Sequence, residues 1–119
     1  MNTIKILAIS LIALFINNNI AAQTHDHSQH QATKTESFKV AGNCDMCKTR
    51  IEKAAKVEGV TKASWDSEKQ LLTVMYNPEK IKTDDIQKKV AEVGHDTEKF
   101  KADDKVYNKL PSCCKYQRN

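Results

Sequence analysis

The stretch Phe38-Lys39-Val40-Ala41-Gly42-Asn43-Cys44-Asp45-Met46-Cys47-Lys48-Thr49-Arg50-Ile51 decides the fold. Within it the apolar period changes from two residues to about 3.6. Phe38 and Val40 alternate with polar neighbours, which predicts a short strand from Ser37. Gly42-Asn43 breaks it. From about Cys47, the residues Cys47, Ile51, Ala54 or Ala55, and Val57 share one face of a helix. Lys48, Arg50, Glu52, Lys53 and Lys56 fall mostly elsewhere. Gly59 is expected to end this helix as its C′ residue, where positive φ is easy.

Further along, Val60 to Trp65 reads as a second strand, and Asp66-Ser67-Glu68-Lys69-Gln70 as a polar turn. Leu72, Val74 and Tyr76 alternate as a third strand, which Asn77-Pro78 ends. Thr83 is placed as an N-cap, with Asp84 and Asp85 in the first turn, where the helix dipole favours acids. Ile86, Val90 and Val93 share a face of this second helix, and Gly94 stops it. His95 to Phe100 is expected to form a fourth, edge-type strand. The order βαββαβ predicts an α+β chain, a ferredoxin-like sandwich with a four-stranded antiparallel sheet and two helices on one face. Its expected core is Phe38, Val40, Ile51, Ala55, Val60, Ala63, Leu72, Val74, Ile86, Val90 and Val93. No second copy of the unit is present.

On the N-terminal side, Lys5 precedes an apolar run from Ile6 to Ile16, followed by Asn17-Asn18-Asn19 and Ile20-Ala21-Ala22. This order predicts a secretory signal peptide over residues 1–22, cleaved after Ala22. The run is short for a spanning helix, which needs about 20 apolar residues. The mature chain is therefore expected to be periplasmic or secreted, with no stable membrane insertion. Residues 23–36 are polar and read as a disordered linker carrying His25, His27 and His30. The folded domain itself is expected over residues 37–100. Residues 101–119 form a tail with some apolar content at Val106, Tyr107 and Leu110, expected to dock loosely. The formal net charge of the 119 residues is +4, and Lys5 leaves with the signal. That weak, dispersed charge has no basic cluster interleaved with aromatics, so it points to no nucleic acid.

Four cysteines in an exported chain ordinarily suggest disulfides. Here they form two tight pairs, Cys44/Cys47 and Cys113/Cys114, and bonding within either pair closes almost no loop. A long-range crosslink between the pairs stays open as an alternative. Cys44 in a loop and Cys47 at a helix N-terminus can turn both sulfurs to one side. The unpaired N–H groups and the dipole there lower thiol pKa. Two such thiolates suit a soft, low-coordinate ion such as Cu(I), or Hg(II), and leave positions open for ligand exchange.

On these residues, Phe38 to Phe100 resembles a heavy-metal-associated domain. Such domains occur in copper chaperones, in the N-terminal regions of metal-pumping ATPases and in periplasmic mercury-binding proteins. The family pattern runs strand, Gly-Met-x-Cys-x-x-Cys, helix, Gly-Val, two strands, second helix, Gly-Tyr. This chain has Ala41-Gly42-Asn43-Cys44-Asp45-Met46-Cys47, then Gly59-Val60, then Gly94-His95. Two departures stand out. Gly42 replaces the Met that packs beneath the family's metal loop, so the loop is expected to be looser or filled by Met46. His95 replaces the Tyr near the family's metal site, which makes it a candidate third ligand or pKa-tuning neighbour, against a plain surface role.

The resulting expectation is an exported metal-trafficking, buffering or detoxifying protein, not an enzyme, with Cys44 and Cys47 as primary ligands. His95, Cys113 and Cys114 are auxiliary candidates; the tail pair either adds thiolates, binds a second Cu(I) or forms a disulfide. His25, His27 and His30 are a weak capture site. The expected partner is a metal-transporting ATPase or another metal-site protein, docking transiently, with the chain a monomer or a metal-bridged dimer. Lys48, Arg50 and Lys53 read as a solvated face, or as a docking patch for an acidic partner. The rival reading is an exported thiol–disulfide oxidoreductase. Against it, Asp45-Met46 lies between the cysteines, and Pro78 and Pro111 are the only prolines.

Overall fold

The structure, a computed structural model, describes residues 32–119. The expected signal segment, and His25, His27 and His30, lie outside the described residues. The described chain runs β1 (Lys34–Lys39), α1 (Asp45–Ala55), β2 (Val60–Asp66), β3 (Leu71–Tyr76), α2 (Thr83–Glu92), α3 (Asp104–Asn108) and a 3-10 turn at Ser112–Cys114. Among these residues no helix is long and apolar enough to cross a membrane.

The sheet is antiparallel with order β1-β3-β2. Its register sets Phe38 and Trp65 on either side of Leu72, and Ala63 beside Val74. These residues alternate onto the inner face because side chains along a strand have period two. On the outer face the Ser37 and Thr73 hydroxyls hydrogen-bond at 2.8 Å. β1 begins at Lys34, inside the segment expected to be linker. Lys34, Thr35 and Glu36 are exposed, and backbone pairing to Tyr76, Met75 and Val74 extends the strand without an apolar pattern to signal it.

Helix α1 packs on β2 and α2. Its buried stripe is Cys47, Ile51 and Ala55. Glu52 joins it to the sheet: its carboxylate accepts from the Trp65 backbone N–H at 2.8 Å and from Lys48 Nζ at 2.7 Å. Phe38, Val40, Ile51, Ala55, Leu72, Val74, Ile86 and Val90 are buried as expected. Val60 and Ala63 are half-buried against them, and Val93 is half-buried at the α2 C-cap. Burial of each large apolar side chain contributes about 1.5–3 kcal/mol.

Three helix-end expectations are corrected. Helix α1 starts at Asp45 with Cys44 as N-cap, so both cysteines sit on its first turn. It ends at Ala55, and Gly59 (φ 95°) belongs to the turn into β2; Val57 N–H donates to Ala55 O and turns the chain off the helix axis first. Lys82, not Thr83, caps α2, and neither side chain makes a capping bond. Gly94 does act at C′, with φ 105°. Its N–H donates to Ala91 O and that of His95 to Val90 O, the Schellman pattern.

The fourth strand is not formed. It is reduced to a single antiparallel bridge between Val40 and Thr97, with Ala41 N–H donating to Asp96 O and Glu98 N–H to Lys39 O. The chain then reverses, because Thr97 N–H donates to Phe100 O at 2.7 Å and Thr97 Oγ1 accepts from Phe100 N–H at 3.0 Å. Asp96 Oδ1 takes the Ala102 N–H at 2.7 Å and fixes the return.

The tail is not loosely docked. Leu110, Cys114 and Tyr116 are buried within the main core. Leu110 lies under Gly94, where an added Cβ would stand 3.0 Å from its Cδ2. The Tyr116 hydroxyl donates to Gly94 O at 2.7 Å and accepts from Asp96 N–H at 2.8 Å. Arg118 makes a two-point ion pair with Asp96 at 2.8 and 2.9 Å, and a further one with Asp104 at 2.8 Å. Its guanidinium lies 4.6 Å over the Tyr107 ring.

Candidate metal centre

Three sulfurs converge at the N-terminal end of α1. Cys44 Sγ lies 3.5 Å from Cys47 Sγ and 3.3 Å from Cys114 Sγ, and all three fall within 4.8 Å of one another. Cys44 caps the helix, Cys47 sits one turn in, and Cys114 is the last residue of the 3-10 turn. Metal–thiolate bonds of about 2.3 Å in trigonal geometry separate the sulfurs by about 4 Å. The two shorter separations therefore need to open by only roughly half an ångström to surround an ion.

The three thiols differ in environment. Cys47 and Cys114 are fully buried, whereas Cys44 is half-buried. Burial works against the Cys44 thiolate too, but the Cys47 backbone N–H and the thiols of Cys114, Cys47 and Cys113 outweigh it, and its pKa falls to about 7. Burial pushes the Cys47 thiol up to about 11, reinforced by the Cys114 thiol. Burial also raises Cys114, although Arg50 Nη1 donates to its sulfur at 3.2 Å and partly offsets this. The site is thus one poised thiolate over two protonated thiols, with a guanidinium beside them. Sequence reasoning expected an open two-thiolate loop, with Cys113 and Cys114 as auxiliary candidates. The docked tail closes it instead.

Beneath the loop, Trp65 fills the space. A Cβ on Gly42 would stand 2.9 Å from two atoms of the Trp65 ring and 3.2 Å from Cys47 Cβ. Trp65 Nε1 donates to Val40 O at 3.0 Å, and Gln70 brackets Gly42 from its other side at 3.0 and 2.8 Å. The loop is neither loose nor filled by Met46, whose side chain is 52% exposed. A large indole has taken the volume that a Met at position 42 would need.

His95 lies outside the three-sulfur group. It is fully buried, its Nδ1 lies 2.8 Å from Ala41 O, and its ring stacks on Tyr116 at 5.6 Å. A carbonyl only accepts, so Nδ1 carries the proton and Nε2 is the bare nitrogen. Burial holds the His95 pKa below its usual value, so the ring stays neutral, and it ties the metal loop to the tail. Cys113 is exposed, 3.9 Å from Cys114 Sγ and 3.6 Å from the Met46 thioether. Lys48 and Arg50 are engaged with Glu52, Trp65 O and Cys114, so that helix face is only partly solvated.

Sequence reading did not place Tyr116, Arg118 and Leu110, the residues that hold Cys114 in position. The spacing Leu110-x-x-x-Cys114-x-Tyr116 was the available signal: apolar residues around the cysteine in a segment otherwise polar.

Comparison with known proteins matches residues 37–96 to the heavy-metal-associated domain. No curated protein sequence matches the chain significantly. Among solved structures, the CopZ metallochaperone is 27% identical with a TM-score of 0.52, over 54% of this chain and 98% of its own. The N-terminal domain of a potential copper-translocating P-type ATPase from Bacillus subtilis, in its Cu(I)-loaded state, is 32% identical with a TM-score of 0.52, over 56% and 85%. Oxidized MerP from Ralstonia metallidurans CH34 is 30% identical with a TM-score of 0.53, over 56% and 96%. The matched residues stop at position 96, so Cys114 and the elements that hold it lie beyond them.

Proposed function

Because this chain belongs to the heavy-metal-associated domain family, we propose that it captures a soft metal ion, Cu(I) before other thiophilic ions such as Hg(II), on Cys44, Cys47 and Cys114. The observation that carries this reading is the convergence of those three sulfurs within 4.8 Å. An all-sulfur set of three favours Cu(I), while Zn(II) seeks four ligands.

Cys44 makes the first bond, because it is both the accessible sulfur and the one whose thiolate exists near neutral pH. Cys47 and Cys114 then release their protons to solvent as the ion displaces them. The Arg50 guanidinium offsets part of the charge that three thiolates accumulate around one Cu(I). Release follows the reverse order. A partner thiolate enters on the Cys44 side, and Cys114 leaves as the tail gives way. Since the third ligand is held by a docked tail, the site favours retention and buffering, with handover only to a partner that competes for the ion.

A metal-transporting ATPase domain is the proposed partner. A depression lined by Met46, Thr49, Arg50 and Lys53 adjoins the sulfurs and offers a basic rim to an acidic partner. The charged and apolar N-terminal pattern supports action outside the cytoplasm, in the periplasm or after secretion. Thiol–disulfide exchange is not favoured by the family or the relatives.

The test is competition for Cu(I) between the reduced protein and a Cu(I) chelator. Cys44→Ala should abolish binding, and Cys114→Ser should weaken it at least about tenfold, the effect of about 1.4 kcal/mol. Binding unaffected by Cys44→Ala ends the proposal.

A further inference from the structure

Beside the three-thiolate set stand two soft donors that it does not use. Cys113 Sγ and Met46 Sδ stand 3.6 Å apart, both exposed, on two elements distant in sequence. Cys113 Sγ is also 3.9 Å from Cys114 Sγ, which belongs to the buried set. Both separations are close to the roughly 4 Å that sulfurs adopt around a shared trigonal ion with metal–sulfur bonds of about 2.3 Å.

We propose that Met46, Cys113 and a shared Cys114 form a second, outer Cu(I) position, joined to the inner one through the Cys114 sulfur. This rests on the metal-binding reading above. A thioether is neutral and soft, so it selects Cu(I) and discriminates against Zn(II). The charge count favours the pairing. One Cu(I) on three thiolates leaves a net −2. A second Cu(I) with the Cys113 thiolate adds +1 and −1, so the cluster gains an ion without gaining charge. The proton from Cys113 leaves to solvent, and no electron is transferred.

The arrangement also defines an order of filling. Once the inner set has filled through Cys44, a second ion meets the exposed Met46–Cys113 pair, and Cys114 bridges it to the inner one. The exposed flank of Met46 is held open because Trp65, not Met46, fills the volume beneath the loop.

The test is native mass spectrometry of the reduced full chain during Cu(I) titration, with copper absorption spectroscopy at one and two equivalents. Wild type should appear as a monomer carrying two ions, with a copper–copper scattering path at two equivalents and none at one. Met46→Leu/Cys113→Ser, both surface changes, should still bind one ion and lose the second by at least tenfold. Wild type that stops at one ion, or a double variant that still takes two, overturns the outer position and leaves the inner site standing. Loss of the first ion in no variant, including Cys44→Ala, would instead overturn the underlying reading.

Discussion

Cys44 Sγ and Cys114 Sγ lie 3.3 Å apart across a sequence separation of 70 residues. One caps the first helix and the other ends a 3-10 turn in the tail. Their meeting depends on the tail docking as a unit, and their thiols then sense one another while Cys47 is sealed beneath.

Alkylation should separate the thiols. In reduced, metal-free protein, iodoacetamide pulses followed by peptide mapping should label Cys113 and Cys44 well before Cys47 and Cys114. The thiolate is the nucleophile, so Cys44 labelling should rise through a midpoint near pH 7, where its pKa lies. Cys47, raised to about 11 and buried, should stay protected until the protein unfolds. Equal rates at Cys44 and Cys47 would contradict this ordering.

Tyr116→Phe tests what seats the tail. The hydroxyl donates to Gly94 O and accepts from Asp96 N–H, and its removal leaves a part-buried N–H and a buried carbonyl unpaired. The expected cost is about 1–3 kcal/mol in urea unfolding. Cys114 should become more reactive in parallel. An unchanged midpoint with unchanged Cys114 protection would show that the hydroxyl is dispensable.

Acid should loosen the same contact. Burial acts to raise the Asp96 pKa, but the Arg118 guanidinium and the Ala102 N–H outweigh it and hold the carboxyl below its ordinary 3.8. A carboxylate depressed in the folded state contributes stability that is fully present above the unfolded value and is lost as pH falls through the folded one. Stability of wild type should therefore decline below about pH 4 more steeply than that of Asp96→Asn, which lacks this titration. Parallel acid curves for the two proteins would remove Asp96 from the account.

Gly42→Ala probes the packing under the loop. Its Cβ would stand 2.9 Å from the Trp65 ring, which cannot move without breaking the Nε1 bond to Val40 O. Overpacking of this kind costs about 1–3 kcal/mol. In a Trp65→Leu background the added cost should shrink, because the obstructing ring is gone. An equal cost in both backgrounds would place the strain elsewhere.

Much of the fold was legible in local patterns. The switch from Phe38/Val40 alternation to the Cys47/Ile51/Ala55 stripe located β1 and α1, and Leu72/Val74/Tyr76 located β3. Gly94 marked the end of α2 because αL backbone there favours glycine. His95–Phe100 misled, since alternation cannot reveal that Thr97 and Phe100 close a turn on themselves. His95 was noticed, but its burial was not legible. Its identity signalled a special position, and only its burial and its 2.8 Å approach to Ala41 O identify it as a brace for the loop.

By itself, the sequence determined a βαββα framework and a Cys-x-x-Cys pair at a helix N-terminus, because period and spacing are properties of neighbouring residues. Tertiary structure alone decided that Trp65 occupies the space beside Gly42, that Cys114 is the third sulfur, and that Met46 faces Cys113. The last two depend on the docking of residues 101–119. Its free energy is spread over Leu110, Tyr116 and the Arg118–Asp96 pair, contacts between residues far apart in the chain, which no local pattern encodes.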